Sequence, residues 1–317
     1  MRAMVIDRFG GPEVFLERDV PRPTVGPGEV LVRVVATSVN PVDAKIRAAG
    51  SWAGITPPAV LGYDVSGTVE EVGPGVKTLK VGEDVYFTPE IHGNHHGSFA
   101  EYVAAPAAIV APKPEGIDHV TAAAIPLAGG TAWEGIVRRL APRPGAWVLI
   151  LGGAGGVGSF AVQFAKACGA RVIATASGEN RTTLQELGAD VAVDYRAEDV
   201  AAVAREATGG RGVDALFDCV GAPAFYPALP AVKPFGRLAT ILGGSADIAP
   251  IVFQNQTLHG IFLVREAGRL QEMAPLFSSG QVRPLIDEVL KLEEVGKAHR
   301  RLDTGHGRGK IVLTVQG

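Results

Sequence analysis

An apolar run that ends in a glycine cluster constrains the fold of this chain more than any other feature. Residues 147–151 read Trp-Val-Leu-Ile-Leu, and residues 152–158 read Gly-Gly-Ala-Gly-Gly-Val-Gly. A segment with apolar residues at helical spacing follows, so the pattern predicts a buried parallel strand, a tight turn and a helix. Gly153, Gly155 and Gly158 fit the G-x-G-x-x-G spacing of a dinucleotide-binding fingerprint.

Each glycine of the fingerprint has its own expected task. Gly153 takes the backbone angles of the tight turn, Gly155 lets a pyrophosphate approach the main chain, and Gly158 lets the helix lie near the strand. Backbone hydrogen bonds to an anion, at about 1.5–3 kcal/mol each, then outweigh the helix dipole, at roughly 0.3–1 kcal/mol. The alternative is a glycine-rich turn in an ordinary α/β unit. The strand before the cluster and the helix after it favour the nucleotide.

Length, charge and cysteine content restrict the class of protein. A chain of 317 residues suggests two domains. The net charge of −3 gives no argument for nucleic acid or an anionic membrane, and no window approaches 18 uninterrupted apolar residues, so neither a nucleic-acid partner nor a membrane span is expected. Two cysteines form no disulfide framework, and the N-terminus lacks the apolar core of a signal peptide. These features predict a cytoplasmic protein.

The order of predicted elements indicates two kinds of domain. The first third is rich in short strands that end at glycines, which is typical of a strongly curved barrel. After a predicted helix over 120–127 and another over 129–140, strands and helices alternate as in a doubly wound parallel sheet. Two late strands, at 286–290 and 310–315, have no place in a six-stranded sheet of that kind. We expect them to return to the first domain.

The end of the second predicted strand of the parallel sheet indicates which nucleotide is bound. An NAD-binding strand ends in an acid about 20 residues past the glycines, but residues 174–178 read Ala-Thr-Ala-Ser-Gly. A carboxylate about 4 Å from a 2′-phosphate would cost on the order of 4 kcal/mol at an effective dielectric constant of about 20. Arg181 follows and can bind a phosphate. The pattern predicts NADPH, with Glu179 as the residue that would favour NADH if the strand were longer.

Three histidines, His92, His95 and His96, lie in a glycine-containing loop. Metal binding is one interpretation, a mobile surface loop is another, and a loop beside the substrate is a third.

The chain as a whole resembles the zinc-free quinone oxidoreductases, the zeta-crystallin-like branch of the medium-chain dehydrogenase/reductase superfamily. The resemblance covers essentially all 317 residues. It is carried by residues 38–43 (SVNPVD), 61–67 (LGYDVSG), 69–73 (VEEVG), 97–102 (GSFAEY), 129–133 (GGTAW), 152–158 and 309–313 (GKIVL).

The resemblance implies an α/β fold with a GroES-like β-barrel domain (1–124 and 265–317) and a Rossmann domain (125–264). It implies an active site in the cleft between them and a homodimer paired through the Rossmann domains. Zinc-dependent relatives carry a cysteine where this chain has Asn40 and a histidine where it has Tyr63. Without those ligands no zinc site is expected.

The same resemblance assigns candidate site residues. Asn40 and Tyr63 are the catalytic candidates that the chemistry suggests. Asn40, a backbone amide or water could donate a hydrogen bond to the substrate oxygen, and Tyr63 and the histidine loop are weak candidate proton donors. The alternative for Asn40 is a turn residue before Pro41. The candidate cofactor-binding residues are Asn40, Thr131, Gly153, Ala154, Gly155, Gly156, Val157, Gly158, Ser177, Arg181, Tyr195, Leu242, Phe262 and Leu263.

These observations predict an NADPH-dependent reductase that transfers hydride to quinones or other α,β-unsaturated carbonyl compounds. A conjugated acceptor spreads negative charge onto its oxygen and needs no Lewis acid, so the protein mainly orients the two partners and excludes water. Two alternatives stay open. One is an NADPH-binding structural or regulatory protein with little turnover, and the other is an enoyl-thioester reductase.

Overall fold

The computed structural model describes residues 1–243 and 247–315. They form two compact units. The first contains Met1–Leu127, Val264–Gly280 and the C-terminal segment from Ile286, and the second contains Ala128–Leu263 and Gln281–Leu285. None of the helices in the described ranges has both the length and the apolar character needed to cross a bilayer.

The described strands, in chain order, are β1 (Arg2–Ile6), β2 (Phe15–Asp19), β3 (Glu29–Ser38), β4 (Ala59–Val60), β5 (Val65–Val72), β6 (Asp84–Phe87), β7 (Tyr102–Pro106), β8 (Ala111–Pro112), β9 (Trp147–Leu151), β10 (Arg171–Ala176), β11 (Val191–Asp194), β12 (Val213–Asp218), β13 (Val232–Thr240), β14 (Thr257–Gly260), β15 (Ile286–Lys291) and β16 (Lys310–Thr314). The described α-helices are α1 (Pro41–Ala49), α2 (His119–Ala123), α3 (Pro126–Trp133), α4 (Gly156–Ala167), α5 (Arg181–Glu186), α6 (Val200–Ala207), α7 (Ala222–Ala228), α8 (Ala249–Phe253), α9 (Ala267–Ser278) and α10 (Val295–Asp303).

The first unit is built on the long strand β3. It pairs antiparallel with β5, β7 and β16, within a sheet of order β15-β16-β3-β5-β6-β8, while β2, β1 and β4 form a smaller sheet. Seven of the ten residues of β3 are buried, so this valine-rich strand is covered on both faces along much of its length. The pairing of β16 with β3 confirms that the last strands return to the first unit.

The second unit contains a six-stranded parallel sheet of order β11-β10-β9-β12-β13-β14. The sheet has β9 near its middle, and four of the five residues of β9 are buried. Parallel strands covered on both faces are continuously apolar, which is why residues 147–151 show no alternation. The cluster of buried side chains around Leu149, Ile173 and Leu216 is the core on one face of this sheet.

The prediction of a single helix over 120–127 was wrong. The structure has α2 ending at Ala123 and α3 beginning at Pro126. Proline has no amide hydrogen to donate and is favoured at the first position of a helix, so Pro126 starts a helix instead of lying inside one. The second predicted helix continues from α3 as a π-helix over Glu134–Leu140.

Candidate active site

The strand register of the first unit brings together three polar residues that are far apart in sequence. Asn40 follows the end of β3, Asp64 precedes β5, and Lys310 begins β16. Because Ser38 pairs with Val312, and Ala36 pairs with Ser66, both neighbouring strands place these residues beside the end of β3. Asn40, Asp64 and Lys310 are at most 3% exposed.

The Asp64 carboxylate is the centre of this group. One of its oxygens, Oδ2, accepts hydrogen bonds from the Ser38 hydroxyl at 2.6 Å and the Asn40 amide at 2.8 Å, and it lies 3.3 Å from the Lys310 ammonium nitrogen. The other oxygen accepts from the Leu127 backbone amide at 2.7 Å. A buried charge is tolerated when its lone pairs are satisfied in this way.

The Asn40 side chain is held on both sides by this group. Its oxygen accepts a hydrogen bond from Lys310 at 2.5 Å, and its amide nitrogen donates to Asp64. Asn40 also precedes α1, and its backbone amide donates to the Asp43 carboxylate at 2.6 Å. The geometry therefore includes the turn role that was the alternative for Asn40. Only the second hydrogen of its amide nitrogen remains for another acceptor.

The fold family raises the question of zinc, and the residues at these positions do not fit it. Zinc in such sites takes thiolate, imidazole or carboxylate ligands. Here an amide stands at position 40 and a phenol at position 63, and the Lys310 cation already occupies the Asn40 oxygen. Among the described residues no three His, Cys, Asp or Glu side chains converge as a metal site requires. The His92/His95/His96 loop contributes instead to local structure, since His95 Nε2 accepts from the Thr56 backbone amide at 3.1 Å.

Two titratable side chains of this unit, Asp43 and Tyr63, have pKa values raised above their usual ones. Burial raises the pKa of Asp43 well above its usual value, against the lowering effect of its hydrogen bond from Asn40. Burial also raises the pKa of Tyr63, whose side chain is inaccessible, with Asp43 adding to the effect. The Tyr63 hydroxyl has no hydrogen-bond partner among the described residues. Tyr63 is therefore a neutral donor at physiological pH.

In the second unit, the turn between β9 and α4 has the geometry of an anion-binding elbow. Gly155 caps α4, whose first hydrogen bond runs from the Ser159 amide to the Gly155 carbonyl at 2.9 Å. The amides of Gly156, Val157 and Gly158 precede that bond and have no partner within the helix. A Cβ at Gly158 would lie 2.0 Å from the Gly152 carbonyl oxygen, so only glycine fits where the helix meets the strand.

One assignment within the fingerprint was wrong. The residue with left-handed backbone angles is Gly152, with φ of 75°, and not Gly153. Gly153 is required for packing instead, because a Cβ there would lie 2.9 Å from Ala174 Cβ and 2.9 Å from Leu184 Cδ2. The turn therefore begins one residue earlier than the fingerprint spacing suggests. Ala154, between the turn and the cap, is buried.

Residues 174–178 at the end of β10 are uncharged, but in the structure charged side chains lie beside them. The Ser177 hydroxyl donates to the Glu179 carboxylate at 3.0 Å, so Glu179 lies at this end. Arg181 is the first residue of α5, and its guanidinium is ion-paired with Glu198 and donates to the Ala192 carbonyl at 3.0 Å. Tyr195 is about half exposed beyond β11. Arg181 therefore lies near the end of β10 as predicted, but its guanidinium is already ion-paired with the Glu198 carboxylate.

The other predicted cofactor residues also belong to the second unit. Thr131 is buried within α3, Leu242 follows β13, and Phe262 and Leu263 follow β14. Phe262 is exposed and Leu263 is buried.

Sequence reasoning missed several of the residues that form these sites. Lys310 lies in the quoted 309–313 motif, but the motif alone does not identify it as a partner of Asn40. The partners Asp64 and Glu198 gave no local signal, because each is identified only by its contact with a distant residue.

Comparisons with known proteins agree with this architecture. The family profile described as "Alcohol dehydrogenase GroES-like domain" matches residues 26–115, and "Zinc-binding dehydrogenase" matches residues 187–313. The NADPH-dependent alkenal/one oxidoreductase, chloroplastic, of Arabidopsis thaliana is 36% identical over 99% of this chain and 79% of its own length. The 2-methylene-furan-3-one reductase of Solanum lycopersicum is also 36% identical, with the same coverage.

Solved structures show the same fold over the whole chain. A crystal structure of an NAD-dependent alcohol dehydrogenase superposes with a TM-score of 0.92 at 35% identity and covers 100% of both chains. The quinone oxidoreductase from Coxiella burnetii superposes with a TM-score of 0.90 at 32% identity over 100% of this chain and 99% of its own. The predicted combination of a GroES-like domain and a Rossmann domain is confirmed. The chain is an oxidoreductase that belongs to the quinone oxidoreductase branch of the medium-chain dehydrogenase/reductase superfamily.

Proposed function

We propose that this protein is an NADPH-dependent reductase of quinones or other α,β-unsaturated carbonyl compounds, and that it works without zinc. The observation that carries the proposal is the pairing of an intact anion-binding elbow in one unit with a polar site in the other unit whose side chains do not suit a metal. Relatives named as alkenal/one oxidoreductase and 2-methylene-furan-3-one reductase support the substrate class.

In the proposed function the second unit holds the dinucleotide. The amides of Gly156, Val157 and Gly158 donate to the pyrophosphate, and the absence of a side chain at position 155 leaves room for it. Ser177 and Arg181 take the 2′-phosphate, with Arg181 exchanging Glu198 for the ligand. When bound, the nicotinamide supplies a hydride.

In the first unit the polar site binds and orients the acceptor. A conjugated carbonyl compound that accepts a hydride at carbon places negative charge on its oxygen, and hydrogen-bond donors aimed at that oxygen lower the barrier. Asn40 offers the second hydrogen of its amide, and Lys310 and Asp64 fix the plane of that amide. Tyr63 offers a neutral hydroxyl, which its raised pKa keeps protonated. The proton that completes the reaction comes from water.

We also propose a homodimer formed along the parallel sheet. β14 is one of the two outer strands of that sheet and pairs on one side with β13. Apolar side chains near it are exposed, including Val252, Phe253 and Phe262 at 58–78%. An edge strand flanked by exposed apolar side chains is a template for pairing with a second copy.

The function is tested with purified protein treated with a chelator. We expect oxidation of NADPH, followed at its absorbance maximum, with at least one member of a panel of quinones, enals and enones. Undiminished rates after chelation are expected, because no step uses a metal. Tight binding of NADPH with no turnover on any acceptor would refute the reductase and favour a binding protein. A rate that needs added zinc would refute the metal-free proposal.

A further inference from the structure

In the second unit, the amino ends of three neighbouring strands border a cavity that the proposed function does not use. Ala215 of β12 pairs with Val148 of β9, and Val213 of β12 pairs with Val232 of β13, so the segments before these strands lie side by side. Together they form a cavity of about 360 Å³. Small-molecule sites have volumes of about 300–1,000 Å³. The glycine elbow follows the carboxyl end of β9 and lies at the opposite end of the strands.

Three cationic residues and one carboxylate line this cavity. Arg143 precedes β9, Arg211 precedes β12, Lys233 lies at the start of β13, and Asp214 lies in β12. Arg143 and Arg211 are exposed, and Arg211 donates to the Thr208 carbonyl at 3.1 Å. Among the residues that the structure describes, neither guanidinium is ion-paired with a carboxylate. Both therefore remain available to an anion from solution.

Asp214 does not neutralise the cavity. Its Oδ1 accepts a hydrogen bond from the Lys233 ammonium at 2.5 Å, and its Oδ2 accepts one from the Trp147 backbone amide at 2.8 Å. Burial raises the pKa of Asp214, but these hydrogen bonds and the charges of Lys233 and Arg211 keep it below its usual value, so the carboxylate is ionised. Three positive charges and one negative charge leave a net charge of +2.

The charge and shape of the cavity indicate the class of ligand. A concave surface with an excess of one charge raises the local concentration of counter-ions. Guanidinium groups bind phosphate oxygens through two parallel hydrogen bonds. A phosphate monoester carries a charge of about −1.5 to −2 at pH 7, which matches the cavity better than a carboxylate does. Trp147 also lines the cavity, with the Arg171 guanidinium 5.4 Å from its ring centre, and offers an apolar surface.

We propose that this cavity binds a small organic phosphate monoester, with Arg143, Arg211 and Lys233 holding the phosphate group and Trp147 contacting the organic part. The cavity is larger than one phosphate group, which favours an organic monoester over inorganic phosphate. The site is independent of the reductase function. Because it lies at the opposite end of the strands from the elbow, it can be occupied while a dinucleotide is bound.

The test uses the whole protein saturated with NADPH, so that the elbow is filled. Calorimetry at neutral pH and constant ionic strength measures dissociation constants for phenyl phosphate, inorganic phosphate and benzoate. We expect phenyl phosphate to bind about tenfold or more tightly than benzoate, because only the phosphate is a dianion with three oxygens to accept from the guanidiniums. We also expect it to bind more tightly than inorganic phosphate. Equal constants for phenyl phosphate and benzoate, or tighter binding of inorganic phosphate, would overturn the proposal.

Substitutions of charged residues assign the binding to the cavity. Arg143→Gln and Arg211→Gln should each weaken phenyl phosphate about tenfold. Arg300→Gln, on an exposed arginine of α10 in the first unit, is the control for net charge and should have no effect. Thermal unfolding checks that each variant is folded. Unchanged affinity in both cavity variants, or an equal loss in the control, would overturn the proposal.

Asp214→Asn should act in the opposite direction. The substitution removes the negative charge and frees Lys233, while the amide oxygen can still accept from the Trp147 backbone. Phenyl phosphate should therefore bind about threefold or more tightly than to the wild type. A variant that only loosened the strand ends would bind more weakly, and that result would count against the proposal.

Fluorescence locates the ligand. In the nucleotide-free protein, phenyl phosphate should change the tryptophan emission with the dissociation constant found by calorimetry. Trp147→Phe should lose this change, although Trp52 and Trp133 remain. A change that persists in Trp147→Phe would place the ligand elsewhere and overturn the proposal.

Discussion

The ammonium nitrogen of Lys310 lies 2.5 Å from the side-chain oxygen of Asn40, and the two residues are separated by 270 positions in the chain. The same ammonium donates to the Val39 carbonyl at 2.9 Å and lies 3.3 Å from Asp64. This contact joins the last strand of the first unit to the residue that we propose orients the substrate. The Lys310–Asn40 contact is therefore expected to affect both the stability of the first unit and the proposed catalytic role of Asn40.

Replacing Lys310 with methionine should destabilise the protein strongly. The substitution keeps the apolar stem but leaves the Asp64 carboxylate buried without its cation, which costs about 3–5 kcal/mol. Chemical denaturation measures the free energy of unfolding. The control is Lys297→Met, since Lys297 is half exposed in its pair with Glu288 and should cost less than about 1 kcal/mol. Equal losses in the two variants would contradict the role of Lys310.

His299 should make stability depend on pH. Burial and the neighbouring Arg47 guanidinium lower the pKa of His299 to about 3 in the folded protein. An unfolded histidine titrates near pH 6.5, so unfolding takes up a proton between those two values. The His299 contribution is therefore present above about pH 6.5 and is lost as the pH falls toward 3, by about 1.4 kcal/mol per unit within that window.

The measurement is the denaturation midpoint as a function of pH. His299→Gln should flatten the profile between pH 6.5 and the acid limit of folding, while the exposed His306, replaced in the same way, should not change it. A wild-type slope that survives in His299→Gln would show that other groups cause it.

Gly158→Ala should impair dinucleotide binding. Its Cβ would lie 2.0 Å from the Gly152 carbonyl oxygen, so the start of α4 must move away from the turn. Losing one backbone hydrogen bond to a phosphate costs about 1.5–3 kcal/mol, which corresponds to about tenfold or more in the dissociation constant. Titration of NADPH by fluorescence measures it. Gly268→Ala, which adds a Cβ into open space in α9, is the control and should bind normally. Normal binding by both variants would refute the proposal that the turn before α4 binds the pyrophosphate.

The pair of Arg181 and Glu198 should set the preference between NADPH and NADH. Arg181→Glu should raise KM for NADPH about tenfold with little effect on NADH, since only NADPH carries the 2′-phosphate. Glu198→Gln should lower KM for NADPH, because the guanidinium is then released from its carboxylate. Arg205→Glu, exposed on α6, controls for net charge. Equal effects on the two nucleotides would refute the assignment.

The proposed dimer should depend on the outer strand of the parallel sheet. Leu258 lies in β14 and is 36% exposed. Leu258→Lys places a charge on that edge, which disfavours strand pairing. Light scattering after size exclusion should give a dimer for the wild type and a monomer for the variant. Leu16→Lys, on β2 of the first unit with similar exposure, should remain dimeric. A monomeric wild type would contradict the proposal.

The Rossmann unit could be predicted from the sequence because the residues that specify it lie close together in the chain. The strand, turn and helix of the fingerprint lie within about 20 residues, and their apolar period and glycine spacing follow from backbone geometry alone. The apolar runs at 171–176, 191–194 and 213–218 predict three strands, and β10, β11 and β12 have these bounds. Pro126 was misplaced because apolar periodicity alone does not separate a helix from two helices joined by a turn.

The sequence by itself therefore determined the dinucleotide elbow, the alternation of strands and helices, and the return of the last strands to the first unit. Only the tertiary structure decided which partners hold Asn40 and Arg181. Lys310 reaches Asn40 through the register of β16 on β3, and Glu198 reaches Arg181 across the ends of two parallel strands. Local spacing carries no information about such contacts, because they depend on how strands distant in sequence pair within a sheet.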